Sequence, residues 1–362
     1  MSYRLSSLIA VLALVPAAAL ADAAPAAPAT PAAPKVTIGG LVDSYYELNL
    51  GQSQTVVNTL RPFDGTPGFH LNYAELNAIV DAGPAAFRVD LGFGRQTALG
   101  TTNLFVQQAF ATFKLGSTTL DFGRFVTSAG AEVIESKDNW LYSRSVLFYN
   151  AIPYAHNGLR ATTPLADGLN LQYGIVNGWD DDANTAGSPP VIGAPAVSGH
   201  KVGNVSLAYA SEKSPVTLNL NVYAGEEQAS TAFRTLVDVV VGYTTGAIGL
   251  NLNVDYATQG TGKDATGADL AKATWYGVAG MVRYSADAFK VSGRVEYFDD
   301  KDGYRTGTAT TYSEATLGLA YPVGTNAELR GELRYDMAKD AVPAYGNEKS
   351  LATFTVGAMA WF

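Results

Sequence analysis

The 362-residue chain has no cysteine, three histidines and few charges: Asp, Glu, Lys and Arg make up 16% of it, against ~25% in an average soluble domain. Without cysteine there are no disulfide scaffolds, thiolate zinc sites, iron–sulfur clusters or thiol nucleophiles. A net charge of −9 argues against nucleic acid as a partner, because the phosphate backbone rewards clustered Lys and Arg. Beyond residue 21 no run approaches the ~18 apolar residues of a spanning helix, so any membrane crossing must use strands. What the chain has in plenty is glycine (37), tyrosine (20) and phenylalanine (15), within a composition that is 47% hydrophobic.

Residues 1–21 carry Arg4, the apolar stretch Leu8 to Val15, then Ala19-Leu20-Ala21. This order reads as a secretory signal with an A-x-A cleavage site, and Pro16 and the short apolar core favour removal over anchoring. Residues 22–35 form an Ala/Pro-rich linker expected to be extended and solvated. Residues 36–362 are then read as one domain.

The repeating signal of that region has period two. Leu329, Gly331, Leu333 and Tyr335 alternate with Glu328, Arg330, Glu332, Arg334 and Asp336; Ile248, Leu250, Leu252, Val254 and Tyr256 alternate with Gly249, Asn251, Asn253 and Asp255. Such segments are strands with one apolar and one polar face. A soluble sandwich shares that pattern, but here the connections alternate in length. Tight turns at residues 82–84, 116–117, 166–168, 211–215, 245–246, 286–287 and 322–326 alternate with longer loops at 51–67, 96–102, 128–156, 180–199, 227–231, 259–271, 299–310 and 339–348. Short on one side and long on the other is the parity of a transmembrane antiparallel up-and-down barrel. Seven turns and eight loops join sixteen strands, with 14 or 18 as alternatives. Tyr209, Tyr243, Tyr284 and Tyr321 precede tight turns, Phe87 and Phe289 follow them, and Tyr256, Tyr276 and Tyr297 lie toward the long-loop ends, as interfacial anchors should. The last strand ends at Phe362, and it must pair with the first to escape being an open edge.

Several blocks go beyond generic alternation: Val36-Thr-Ile-Gly-Gly-Leu-Val-Asp-Ser-Tyr-Tyr-Glu47, Asn72-Tyr-Ala-Glu-Leu76, Arg88-Val-Asp-Leu-Gly-Phe-Gly94, Ala131-Glu-Val-Ile-Glu-Ser136, Tyr142-Ser-Arg-Ser145, Ile152-Pro-Tyr-Ala-His-Asn-Gly-Leu-Arg160 and Val176-Asn-Gly-Trp-Asp180. Together they resemble the β-barrel porin-2 family of Gram-negative outer-membrane proteins, chiefly over the first half of the mature chain. Asp181 to Pro190 departs from the family's usual Asn and Lys continuation. The resemblance implies a porin without naming a solute. The last strand, with its terminal aromatic Phe362, looks like the signal by which the barrel-assembly machinery recognises outer-membrane barrels.

A barrel of about sixteen strands is too wide for side chains to fill. The longest connection, residues 128–156, mixes Glu132, Glu135, Lys137, Asp138 and Arg144 with Trp140, Leu141, Val146, Leu147, Phe148 and Tyr149. So apolar a loop is expected to fold into the lumen as a constriction rather than lie across the rim. Arg88, Arg160, Arg234, Arg283, Arg294, Arg330 and Arg334 sit on polar strand faces with Asp90, Asp238, Asp255, Glu296, Glu328, Glu332 and Asp336 interleaved. Guanidinium groups facing acyl chains are costly, so these side chains are expected inside. They form either wall-stiffening ion pairs or a basic wall facing Glu132 and Glu135 across an eyelet. The expected pore set is Glu132, Glu135, Arg144, Arg88, Asp90, Arg160, Arg294, Arg330 and Arg334. Arg124 shares a face with Leu120 and Phe122, which requires a bulge or a rim position.

No catalytic residue, metal site or cofactor is expected. His156 has no Ser-centred motif beside it, Gly92-Phe-Gly94 lacks the third glycine of a dinucleotide fingerprint, and Asp180 to Asp182 and Asp299 to Gly303 lack the ligand spacing of a calcium loop and read as solvated turns. The sequence therefore describes a passive channel for small hydrophilic solutes or ions, set in outer-membrane lipid, with an oligomer possible. A non-conducting barrel acting as receptor, adhesin or anchor is the alternative, and a periplasmic all-β binding protein the third class.

Overall fold

Each strand carries a greasy face and an ionic face, and a sheet closed on itself around water can satisfy both with no open edge. The computed structural model, which describes residues 33–94, 105–179, 201–227, 232–263 and 267–362, takes that solution. The strands are β1 (Lys35–Leu50), β2 (Gly68–Asp81), β3 (Ala85–Phe93), β4 (Phe105–Leu115), β5 (Thr118–Val126), β6 (Ala155–Ala166), β7 (Leu169–Val176), β8 (Val202–Ala210) and β9 (Val216–Glu226). They continue with β10 (Phe233–Thr245), β11 (Ile248–Gln259), β12 (Gly262–Lys263), β13 (Asp269–Leu270), β14 (Ala273–Ser285), β15 (Lys290–Asp300), β16 (Thr310–Pro322), β17 (Ala327–Val342) and β18 (Glu348–Trp361). β12 and β13 form a separate small hairpin within one loop, and the other sixteen strands close into a barrel, each paired with its chain neighbour.

Closure is antiparallel between β1 and β18, from Leu41 opposite Trp361 to Leu50 opposite Ala352. The Phe362 amide donates to the Gly40 carbonyl at 3.0 Å, carrying the seam to the last residue. The tight turns need left-handed backbone: Gly116 and Gly246 have φ of 64° and 54°, which suits two-residue hairpins whose twist matches the flanking strands. β17 runs on to Val342, so the last long connection is shorter than residues 339–348. Residues 1–32, which hold the expected signal and all but the last three positions of the expected linker, and the segment around Asp180 to Asp182 lie outside the described residues.

The polarity of the barrel is inverted relative to a soluble domain. On β17, Leu329 and Leu333 are 48% and 52% exposed on the outer face, while Arg330 and Arg334 between them are 4% and 3% exposed. Tyr284, Tyr321, Phe87 and Tyr256 are exposed on the same outer surface, and Tyr256 stacks on Tyr276 at 6.4 Å. Arg124 lies near the long-loop end of β5, where the β3–β4 register shifts beyond Asp90. Its Nε donates to the Val106 and Gln107 carbonyls at 2.9 and 3.1 Å, so both the bulge and the rim position apply. Asp300 is no solvated turn: it is fully buried and accepts from the amides of Tyr304, Arg305 and Thr306 at 2.8 to 3.0 Å.

Candidate functional site: the lumen and its inserted loop

The connection between β5 and β6 folds into the lumen, where every residue from Leu141 to Asn150 is buried. It contains a 3-10 turn at Ser136–Asp138 and one short helix, α1 (Val146–Asn150), capped by Ser145, whose Oγ accepts from the Phe148 amide at 2.9 Å. Irregular backbone removed from water must find partners, and the barrel wall supplies them. Glu332 accepts from the amides of Tyr142 and Ser143 at 2.8 and 3.2 Å and from the Ser143 hydroxyl. Glu296 accepts from the amides of Val146 and Leu147 at 2.6 and 3.2 Å. Arg330 donates to the carbonyls of Ser136 and Leu141 at 2.8 and 2.9 Å, and Arg334 to that of Arg144 at 2.7 Å. Arg294 joins loop to wall through Glu132 at 2.6 Å and the Ser143 carbonyl at 2.9 Å.

Steric fit follows the same wall. Gly249, Gly277, Gly318 and Gly357 face the lumen on β11, β14, β16 and β18, and a methyl group added to any of them would run into Trp140, Leu147, Leu141 or Tyr142 respectively. Four strands thus omit a side chain where the loop presents a large one. Tyr142 is held further by its hydroxyl, which donates to Asp43 Oδ1 at 2.7 Å and accepts from Asn72 Nδ2 at 3.0 Å.

A second connection, residues 51–67, closes over α1. Phe63 meets the rings of Phe148 and Tyr149 edge-on at 6.1 and 5.3 Å. Arg61 bridges Glu47 and Asp64 at 2.7 and 2.8 Å, and Asp64 also faces Arg144 at 3.6 Å and accepts from the Tyr149 hydroxyl at 2.6 Å. Burial opposes ionisation of Asp64, but Arg61 and Arg144 outweigh it and hold the carboxyl below the usual aspartate range. Burial, reinforced by the Asp64 charge, pushes the Tyr149 phenol well above its ordinary value and keeps it a donor.

The sequence-predicted residues divide into two groups. Glu132, Glu135, Arg88 and Arg160 line a cavity of about 420 Å³ between the loop and the wall from β2 to β6, together with Glu75, Lys137 and Asp138. Asp90 is fully buried behind it, paired with Arg88 at 2.9 Å. Arg144 on the loop and Arg294, Arg330 and Arg334 on the wall beneath it border no part of that cavity; their side chains are 0–4% exposed. Their expected place in an eyelet is corrected to loop anchoring, because a loop that lies against β14 to β18 covers that side of the wall. Arg234 packs over Trp179 at 5.0 Å under the outer loops, and Arg283 over Trp140 at 5.3 Å. Asp238 and Asp255 face each other across β10 and β11, with Asn221 and Asn253 bonded to Asp238. His156 is buried against Tyr223, its Nδ1 3.0 Å from the Gly178 carbonyl. Among the described residues no group of three or more His, Asp or Glu side chains gathers to hold a metal.

Sequence reasoning did not single out Asp43, Arg61, Asp64, Glu75 or the four lumen glycines. The readable signal for the glycines was their place in the alternation, where an inward position should carry a polar side chain and carries none.

A closed barrel with lipid-compatible exterior, charged interior and an inserted loop defines a porin-type outer-membrane protein. The family model described as "Putative beta-barrel porin-2, OmpL-like" matches residues 35–362, and the chain belongs to that family. Similar solved structures include a loop-deleted OmpT of Vibrio cholerae (TM-score 0.62, 12% identity, covering 91% of this chain and 100% of that one). An anion-selective porin from Comamonas acidovorans scores 0.61 at 16% identity over 91% and 100% of the two chains, and the trimer form of V. cholerae OmpT scores 0.59 at 13% identity over 91% and 100%. The comparison with curated proteins found no match.

Proposed function

We propose that the protein is a passive diffusion channel of the outer membrane for small hydrophilic solutes or ions, exported by residues 1–21 and assembled through the strand ending at Phe362. The carrying observation is the cavity of about 420 Å³ beside the docked loop, bordered by Arg88 and Arg160 from the wall and by Glu132 and Glu135 from the loop. Charged side chains bordering a narrow aqueous passage favour polar solutes over apolar ones. Purified protein in planar bilayers is expected to produce discrete conductance steps; a membrane that stays sealed with folded barrel present refutes the reading.

A second reading, a plugged barrel serving as receptor or anchor, is favoured by the complete burial of Leu141 to Asn150 and the second loop packed over α1. Deleting residues 134–149 separates the two. A constriction gives larger steps than the intact protein, whereas a plug gives steps only after deletion.

A further inference from the structure

We infer that the passage prefers cations to anions, through two carboxylates, Glu75 on β2 and Glu135 on the loop, that no basic side chain neutralises; this rests on the diffusion reading above. Among the described residues three cations border the cavity, and each is already committed to an acid. Arg88 Nε lies 2.9 Å from Asp90, Arg160 Nη2 2.9 Å from Asp121, and Lys137 Nζ 2.6 Å from Asp138. Glu132 is balanced by Arg294 at 2.6 Å. Among the described residues Glu75 and Glu135 form no ion pair. Glu135 accepts from the Gln107 side-chain amide at 2.5 Å, and Glu75 from that of Asn77 at 2.6 Å.

An amide neutralises no charge. The ion pairs present dipoles whose fields fall off within a few ångströms, while the two carboxylates act as monopoles on whatever crosses the water between loop and wall. Glu75 comes from the wall, and Glu135 from the loop with its carboxylate reaching the wall at Gln107. Arg88 lies within Coulombic reach of both, so around this guanidinium three acids, Asp90, Glu75 and Glu135, share one positive charge. Two uncompensated charges ~8 Å from an ion in water enrich cations about fivefold over bulk and deplete anions to match, before salt screening.

The test uses the full mature chain in planar bilayers with roughly 0.1 M against roughly 0.01 M KCl, where screening lengths are ~10–30 Å, and at about pH 8, above the ordinary carboxylate range. The wild-type reversal potential is expected to show potassium favoured over chloride by at least about threefold. Glu75→Gln with Glu135→Gln should bring that ratio toward one while conductance persists, and Arg88→Gln should raise it. Opposite movements on removing acids and on removing a base separate charge from general loosening, and heat-modifiable gel migration confirms each variant is folded. A wild-type ratio at or below one, or a ratio unmoved by the double substitution, overturns the inference and leaves the channel standing. Silent membranes overturn the channel and the preference with it.

Discussion

Replacing Gly357 with Ala adds one methyl group, and the structure says where it goes. The new carbon would overlap the Tyr142 ring, and that ring cannot swing aside. Its hydroxyl is bonded to Asp43 and Asn72, its backbone amide to Glu332 at 2.8 Å, and Tyr45 packs against it at 5.8 Å. Either the loop or the wall must give, and overpacking of this kind costs ~1–3 kcal/mol. A loss of ~2 kcal/mol changes a docked-to-undocked ratio by roughly thirtyfold, enough to turn a fixed constriction into a fluctuating one. Single-channel recordings of Gly357→Ala should therefore show noisier, larger steps, and protease added from the loop side should cut within residues 134–149. Gly331→Ala, on the outer face where nothing lies within 4 Å of the added methyl, should behave as wild type. Tyr142→Ala alone should loosen the loop as well, and the double variant should be no worse than the poorer single, the signature of two groups sharing one contact. Wild-type recordings and wild-type protection in Gly357→Ala would refute docking by steric fit.

Three further outcomes follow from the same contacts. Glu332→Ala leaves the Tyr142 and Ser143 amides without their acceptor; at ~1–3 kcal/mol for each orphaned group, conductance noise should rise at least as much as in Gly357→Ala. Asp64 has a depressed pKa in the folded loop, so its contribution is fully present above the ordinary aspartate value of ~3.9 and is lost as pH falls through the lower folded value. The Asp64 contribution to loop docking should persist from neutral pH down to ~4, and Asp64→Asn should show its acid-range loosening, read as conductance noise, at neutral pH. Arg294→Gln releases Glu132 from its partner and adds a third unbalanced carboxylate beside the passage, which should raise potassium preference while loosening the loop.

Alternation carries the fold because the bilayer leaves a strand few choices. Leu329 and Leu333 must meet lipid if Arg330 and Arg334 are to meet water, and one residue of slip would reverse all four. The turn and loop parity was readable for the same reason, since a closed up-and-down sheet has two ends and visits them in order. The loop's direction was also legible: Trp140, Leu141, Phe148 and Tyr149 have no stable place in bulk water. Residues 51–67 carry a weaker form of that signal in Leu60 and Phe63, and as a long polar loop they gave little hint that Arg61 and Asp64 would be buried.

What periodicity cannot separate is the two destinations open to an inward arginine. Arg88 and Arg330 occupy equivalent faces of their strands, yet Arg88 borders open space and Arg330 lies under the loop. The difference comes from the loop's needs rather than the strand's. A segment with only a 3-10 turn and one short helix satisfies few of its own amides and carbonyls, and inside the barrel the wall takes over that task. Glu296 and Glu332 receive amides; Arg294, Arg330 and Arg334 receive carbonyls. These arginines are also paired with acids, Arg294 with Glu132 and Glu314, Arg330 with Glu328 and Arg334 with Asp336, so the field in the passage is set by the few side chains the loop leaves uncovered. Counting inward arginines therefore predicts a basic lumen, while following each one to its partner leaves Glu75 and Glu135 as the charges an ion would meet.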